Sequence, residues 1–133
     1  MDTIVVGYID TPQGHAALDA AIAEAKLRKM KVVLVHSMVG GGHEEAPEYV
    51  AAAEAVEEAH NRLESEGVEH CTHEYVRGKS PAEDVIAAVA EHSASMIVIG
   101  VRKRSTTGKV LLGSNALEIL HDARIPVLCV KPT

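Results

Sequence analysis

Arg102, Lys103, Arg104 and Lys109 place four of the chain's 13 lysines and arginines in one short, glycine-bearing stretch. The chain as a whole is acidic, with a formal net charge of −6, so the cluster runs against its background. Cationic side chains beside glycines, just ahead of a helix start, supply what an anion such as a phosphate needs: charge, donors and room for close backbone approach. Gly113-Ser114 extends the pattern. The glycine admits a close neighbour, and Ser114 can cap the next helix or donate its hydroxyl to a phosphate. The bland alternatives are a solvated basic loop and a plain N-cap.

Two phosphate-loop candidates fail on spacing. Gly78-Lys79-Ser80 has the end of a Walker A loop, but the earlier glycine it requires falls at His73. Gly108-Lys109 is followed by Val110, and Lys103 stands where its first glycine belongs. The eight histidines raise the question of metal. His70 and His73 flank Cys71 on a strand-like run, where residues three apart point to opposite faces, so the spacing predicts no metal site. His36 and His121 fall at element ends and read as polar terminal residues, His121 also suiting a helix dipole. No Ser/His/Asp order and no paired carboxylates mark a catalytic centre. The expectation is a non-enzyme.

Composition narrows the partners. The acidic balance argues against general affinity for nucleic acid or anionic membrane, and three tyrosines are the only aromatic rings available for base stacking. No apolar stretch approaches spanning length. Met1-Asp2-Thr3 runs straight into an apolar strand without a basic lead, and Cys71 and Cys129 are too few for a disulfide framework. These features predict a cytoplasmic protein with both cysteines serving as small buried hydrophobes. Phe and Trp are absent, so the core is left to Val, Ile, Leu, Ala and Met.

The elements that must position the basic loop alternate along the chain. Thr3–Ile9, Lys31–Ser37, Val68–Val76, Met96–Gly100 and Ile125–Lys131 read as strands, the third polar enough for a sheet edge. Thr11-Pro12 starts the first helix, which runs to about Lys29 on an alanine stripe. Pro47 starts the second, with Val50, Ala53, Val56, Ala59 and Leu63 inward. Gly40, Gly41 and Gly42 open the loop before it. Ser80-Pro81-Ala82-Glu83 is a capping box for the third helix, and the fourth spans about Ser114 to His121. Strand and helix in alternation predict one α/β domain over residues 1–133, an open parallel sheet with helices on both faces. Ligands of such sheets bind beyond the carboxyl ends of the strands, where Asp10, Thr11 and the stretch from Val101 to Lys109 follow strands one and four.

Gly100-Val101-Arg102-Lys103, nine residues, then Gly113-Ser114 resembles the nucleotide signature of the universal stress protein family. That signature reads Gly, two residues, Gly, nine residues, then Gly followed by Ser or Thr. The resemblance spans the chain: the opening strand with its Asp, His36 after strand two, the Gly78–Ala82 turn, and the closing Pro126-Val127 to Val130-Lys131. It implies a Rossmann-like sheet of order 3-2-1-4-5, with a nucleotide across the ends of strands one and four. By the same likeness Gly100, Gly113 and Ser114 would face phosphates and ribose, and Asn115 would add a contact at the helix start. Arg102 would reach a phosphate, and the backbone around Ser37 would meet the adenine. Asp10 stands closest to the family's early aspartate.

The chain departs from the pattern twice. Lys103 replaces the second glycine, and with Ala16-Ala17-Leu18 in register Ile9 takes the aspartate's place, leaving Asp10 one residue late. The reading that follows is a stress-response module binding ATP or AMP, with Mg as an accompanying ion and at most slow ATP hydrolysis. A nucleotide-free dimeric scaffold for partner proteins is the alternative, favoured by the two departures. A homodimer is expected through strand five (Val127, Leu128, Cys129, Val130), because an apolar edge invites pairing. The implied strand order puts Cys71 and Cys129 on opposite edges, too far apart for a disulfide.

Overall fold

The β-branched and leucine-rich runs form the strands, and the Thr-Pro and Ser-Pro pairs start helices. The computed structural model describes residues 2–36, 47–73, 79–102 and 112–132, with backbone alone for 47–52. The elements are β1 (Thr3–Gly7), α1 (Pro12–Arg28), β2 (Lys31–Val35), α2 (Pro47–Ser65), β3 (His70–His73), α3 (Pro81–His92), β4 (Met96–Gly100), α4 (Ser114–Asp122) and β5 (Val127–Val130). Thr11 Oγ1 accepts from Gly14 N and Ser80 Oγ accepts from Glu83 N, so both caps work as their residue types dictate. Lys29 and Ser93 end α1 and α3 in the left-handed conformation, each returning its N–H to a carbonyl of the last turn.

The five strands form one parallel sheet of order β3-β2-β1-β4-β5. Alternation along each strand sends side chains to two separate cores. On one face Ile4, Val6, Val32 and Leu34 pack against Ala17, Leu18 and Ala21 of α1 and Ala55, Ala59 and Leu63 of α2. On the other, Val5, Val33, Ile97 and Ile99 meet Ala82, Val85 and Ala88 of α3 and Ile119 of α4. Alanines on the inner faces let the helices lie close, which compensates for the absence of Phe and Trp.

Three strands are shorter than their apolar runs. β1 stops at Gly7 because the chain turns there, with Thr11 N bonded to the Ile9 carbonyl at 2.8 Å. β2 stops at Val35. β5 begins at Val127 because Pro126 has no N–H, although its carbonyl still accepts from Ile97 N at 2.9 Å. β3 is described over His70–His73, and residues 74–78 of the expected third strand lie outside the described set. The inward stripe of α2 is also rotated: Ala55 is buried and Ala53 exposed, while Val50 lies outside the described side chains. Cys71 and Cys129 lie on opposite edges, but they are half-buried and exposed respectively, not buried. Short edge strands are covered on one side only, which opens positions that would be buried at the centre. No helix among the described residues is long and apolar enough to cross a membrane.

Candidate functional site

The strand order reverses between β1 and β4, and the chain leaves their carboxyl ends in opposite directions. A cleft of about 220 Å³ opens there. Gly7, Tyr8 and Ile9 after β1, Ile99 and Gly100 of β4, and Val35 of β2 make its floor. The N-terminal parts of three helices close it: Gln13 and Gly14 of α1, Pro81 and Val85 of α3, and Asn115, Ala116 and Ile119 of α4. The lining is mostly apolar, with Tyr8, Gln13 and Asn115 bringing polar side-chain atoms to it.

Two glycines make this geometry possible. A Cβ on Gly14 would lie 1.7 Å from the Ile9 carbonyl oxygen, and one on Gly100 would lie 2.0 Å from the Gln13 carbonyl oxygen. Both obstacles are backbone, so the start of α1 can sit on the end of β4 only because neither position carries a side chain. Gly113 is different. A Cβ there would meet nothing within 4 Å among the described residues, and its φ of −68° is ordinary for any residue.

The three helix starts differ in what remains of their donors. Thr11 caps α1 and Ser80 caps α3, each taking up one of the otherwise unpaired N–H groups. Gly113 is the N-cap of α4 and makes no side-chain cap bond, and the first turn of α4 holds no acidic residue. Among the described residues no side chain caps its N–H groups, an arrangement that, with the positive end of the dipole, suits an anion. Asn115 Oδ1 accepts from Ala82 N at 3.3 Å, which ties the start of α4 to that of α3.

Beside the cleft, Asp10 Oδ1 pairs with His15 Nε2 at 2.8 Å, both side chains largely exposed. Tyr8 is buried at 2% exposure and packs edge-on to the His15 ring, 5.7 Å between centroids, with the His36 ring at 6.4 Å. Burial, and then the Asp10 carboxylate, push the Tyr8 hydroxyl above its ordinary range. Burial lowers the His36 imidazole, against a smaller opposing pull from Asp10.

The match to known proteins covers the same ground. A family model described as the universal stress protein family matches residues 1–131. A universal stress protein of Mycolicibacterium smegmatis is 35% identical over 129 residues, covering 97% of each sequence. The chain belongs to the universal stress protein family. Among solved structures, a universal stress protein from Archaeoglobus fulgidus is similar with a TM-score of 0.80 and 38% identity, over 98% of both chains. The universal stress protein from Archaeoglobus fulgidus in complex with dAMP is similar with a TM-score of 0.73 and 32% identity, again over 98% of both chains.

In this universal stress protein the expected site residues that are described separate into three groups. Gly100 and Asn115 line the cleft, Gly113 and Ser114 form the exposed start of α4 beside it, and Asp10 and the exposed Arg102 follow the two strands that floor it. Ser114 is the first residue of α4, not its cap, because the chain enters the helix one residue earlier than a serine cap requires. Ser37 and Lys103, with Arg104, Lys109 and Gly40–Gly42, lie outside the described residues. Sequence reasoning missed Tyr8, Gln13, Gly14 and His15. Gly14 carried a readable signal, since a glycine inside an alanine-rich helix is costly unless something must approach it closely.

Proposed function

We propose that this universal stress protein is a regulatory module that binds an adenine nucleotide, ATP or AMP, in the cleft beyond β1 and β4. The observation that carries the reading is the start of α4, which reaches the cleft without a side-chain cap while its two neighbours are capped. The base lies on the apolar floor, and the family likeness assigns it a contact with Ser37, which is outside the described residues. Phosphates and ribose take the N–H groups and hydroxyl at Gly113, Ser114 and Asn115, with Arg102 and Lys103 adding positive charge and Mg accompanying the phosphates. Support comes from the dAMP complex of the Archaeoglobus fulgidus relative, 32% identical to this chain. The reading is of a cytoplasmic binding module, with slow ATP hydrolysis as its most demanding chemistry. Mass spectrometry of ligand released from purified, undialysed protein tests it: an adenine nucleotide at near one per chain is expected. Protein that comes off the column empty and gains no thermal stability with added nucleotide would sink the reading.

The second reading, a scaffold that pairs with itself and with partner proteins, rests on a separate observation. β5 is a sheet edge whose Leu128 is 38% exposed, and α4 exposes Leu117 (54%) and Leu120 (40%). An apolar strand edge of this kind favours pairing with a second copy. The dimer is compatible with nucleotide binding, so the two readings part only over whether the cleft is filled. Sedimentation of wild type and Leu128→Glu tests it, with a dimer expected for the first and a shift toward monomer for the second. Wild type sedimenting as a monomer at micromolar concentration rules the dimer out.

A further inference from the structure

His73 ends β3, and its ring is 8% exposed. One nitrogen, Nδ1, lies 3.1 Å from Glu91 Oε2, while the other, Nε2, is buried without a hydrogen-bond partner among the described residues. Buried polar atoms are nearly always satisfied, so an imidazole held this way calls for an explanation. His92 supplies one: its ring stands 6.2 Å from that of His73 at 77°, and ligand atoms of His73, Glu91 and His92 lie within 4.8 Å of one another. We propose that these three residues form a site for a divalent transition-metal ion of the zinc type.

The chemistry favours such an ion over magnesium or calcium. Two imidazoles with one carboxylate match the borderline ligand preference of Zn²⁺, whereas the alkaline-earth ions require oxygen ligands. Three protein ligands leave a fourth position for water. Glu91 and His92 also occupy the last turn of α3, where the carbonyl end of the helix dipole attracts positive charge. The site is invisible to local spacing because β3 supplies one ligand and the far end of α3 supplies two. His70, three residues from His73, takes no part. It points to the other face, where its ring meets His60 of α2 at 5.0 Å, as strand alternation requires. Bound metal would clamp the polar edge strand β3 to α3, and it would stabilise the fold by mass action.

The site is independent of the nucleotide reading, so its test is run on chelator-treated, tag-free protein without nucleotide. Competition against a chromophoric chelator should show one Zn²⁺ per chain. Glu91→Gln and His92→Ala should each weaken binding by roughly tenfold or more, and His121→Ala, an exposed histidine on α4, should leave it unchanged. Co²⁺ in place of Zn²⁺ should give visible absorption of a nitrogen- and oxygen-ligated ion, lost in His92→Ala. Circular dichroism in chelator establishes that the variants remain folded, and both changed side chains lie on an accessible helix end. Zn²⁺ should raise the melting temperature of wild type and of His121→Ala alike, and that of Glu91→Gln and His92→Ala by less. Wild type that fails to compete with the chelator, or wild type and His92→Ala binding Zn²⁺ equally, overturns the proposal.

Discussion

Gly100 and Gly113 belong to one nucleotide signature, and the fold uses them in unrelated ways. Gly100 is locked under the first turn of α1, with the Gln13 carbonyl where its side chain would be. Gly113 stands at the start of α4, where a Cβ meets none of the described residues within 4 Å. The first glycine is therefore required by packing whether or not a nucleotide binds. The second has no packing reason among the described residues, and the proposed function gives it one, space for a phosphate. Matching letters in a motif thus carry unequal weight as signs of function.

The sharpest way to break this contrast is Gly100→Ala. Its methyl must displace helix backbone, so a loss of about 3 kcal/mol is expected, read as a lower urea midpoint. A midpoint within error of wild type would show that the approach of α1 to β4 is softer than described. Gly14→Ala, facing the Ile9 carbonyl, should behave similarly. Gly113→Val should instead cost less than about 1 kcal/mol of stability, the scale of an altered N-cap, while removing nucleotide binding. A destabilisation equal to that of Gly100→Ala would erase the distinction.

Asn115→Ala falls between the two. It deletes the 3.3 Å bond to Ala82 N that joins the starts of α3 and α4, worth about 0.5–1.5 kcal/mol. If Asn115 also serves the ligand, nucleotide affinity should fall further than stability does; equal effects in thermal melts with and without AMP would make it purely structural. The smallest expected effect is on pH dependence. Burial holds His36 and His60 below the ordinary value of 6.5, with His70 adding to the shift at His60. The unfolded chain therefore takes up these protons first as pH falls. Their contribution is intact above 6.5 and fades as pH drops through the lower folded values. His60→Gln, which can still bond Thr72 Oγ1, should flatten the difference in urea midpoint between neutral and mildly acidic buffer. An undiminished slope would assign the acid sensitivity elsewhere.

Much of the architecture was readable because its signals are local. β-branched runs, Thr11-Pro12 and Ser80-Pro81 specify strands and helix starts within a few residues of themselves. The strand order came from family likeness, and the sheet has that order. What local patterns cannot reach is contact between distant segments. Gly14 is legible only as an oddly placed helix glycine, and its reason, the Ile9 carbonyl, appears once the turn after β1 is built. His73 and His92 are 19 positions apart in the chain, so the crossover through α3 is needed to bring them together. The extent of β1 was misread for a related cause: Tyr8 and Ile9 are apolar enough for a strand, yet the backbone there is committed to the turn into α1. The exposure of Cys129 was equally hidden, since burial depends on whether a strand is central or at an edge.

The central claim is that the cleft beyond β1 and β4 holds an adenine nucleotide through the start of α4 and the basic residues before it. Calorimetric titration with ATP, AMP and adenosine, at low and high salt, tests it most directly. Saturable binding of one nucleotide per chain is expected, tighter for ATP than for adenosine and weakened by salt. Charge-assisted bonds to phosphate are worth about 1.5–3 kcal/mol each, so Lys103→Ala should reduce ATP affinity well beyond adenosine affinity, and Gly113→Val should abolish binding of both. No heat and no thermal stabilisation with any of these ligands at millimolar concentration would contradict the account and leave the self-pairing scaffold in its place.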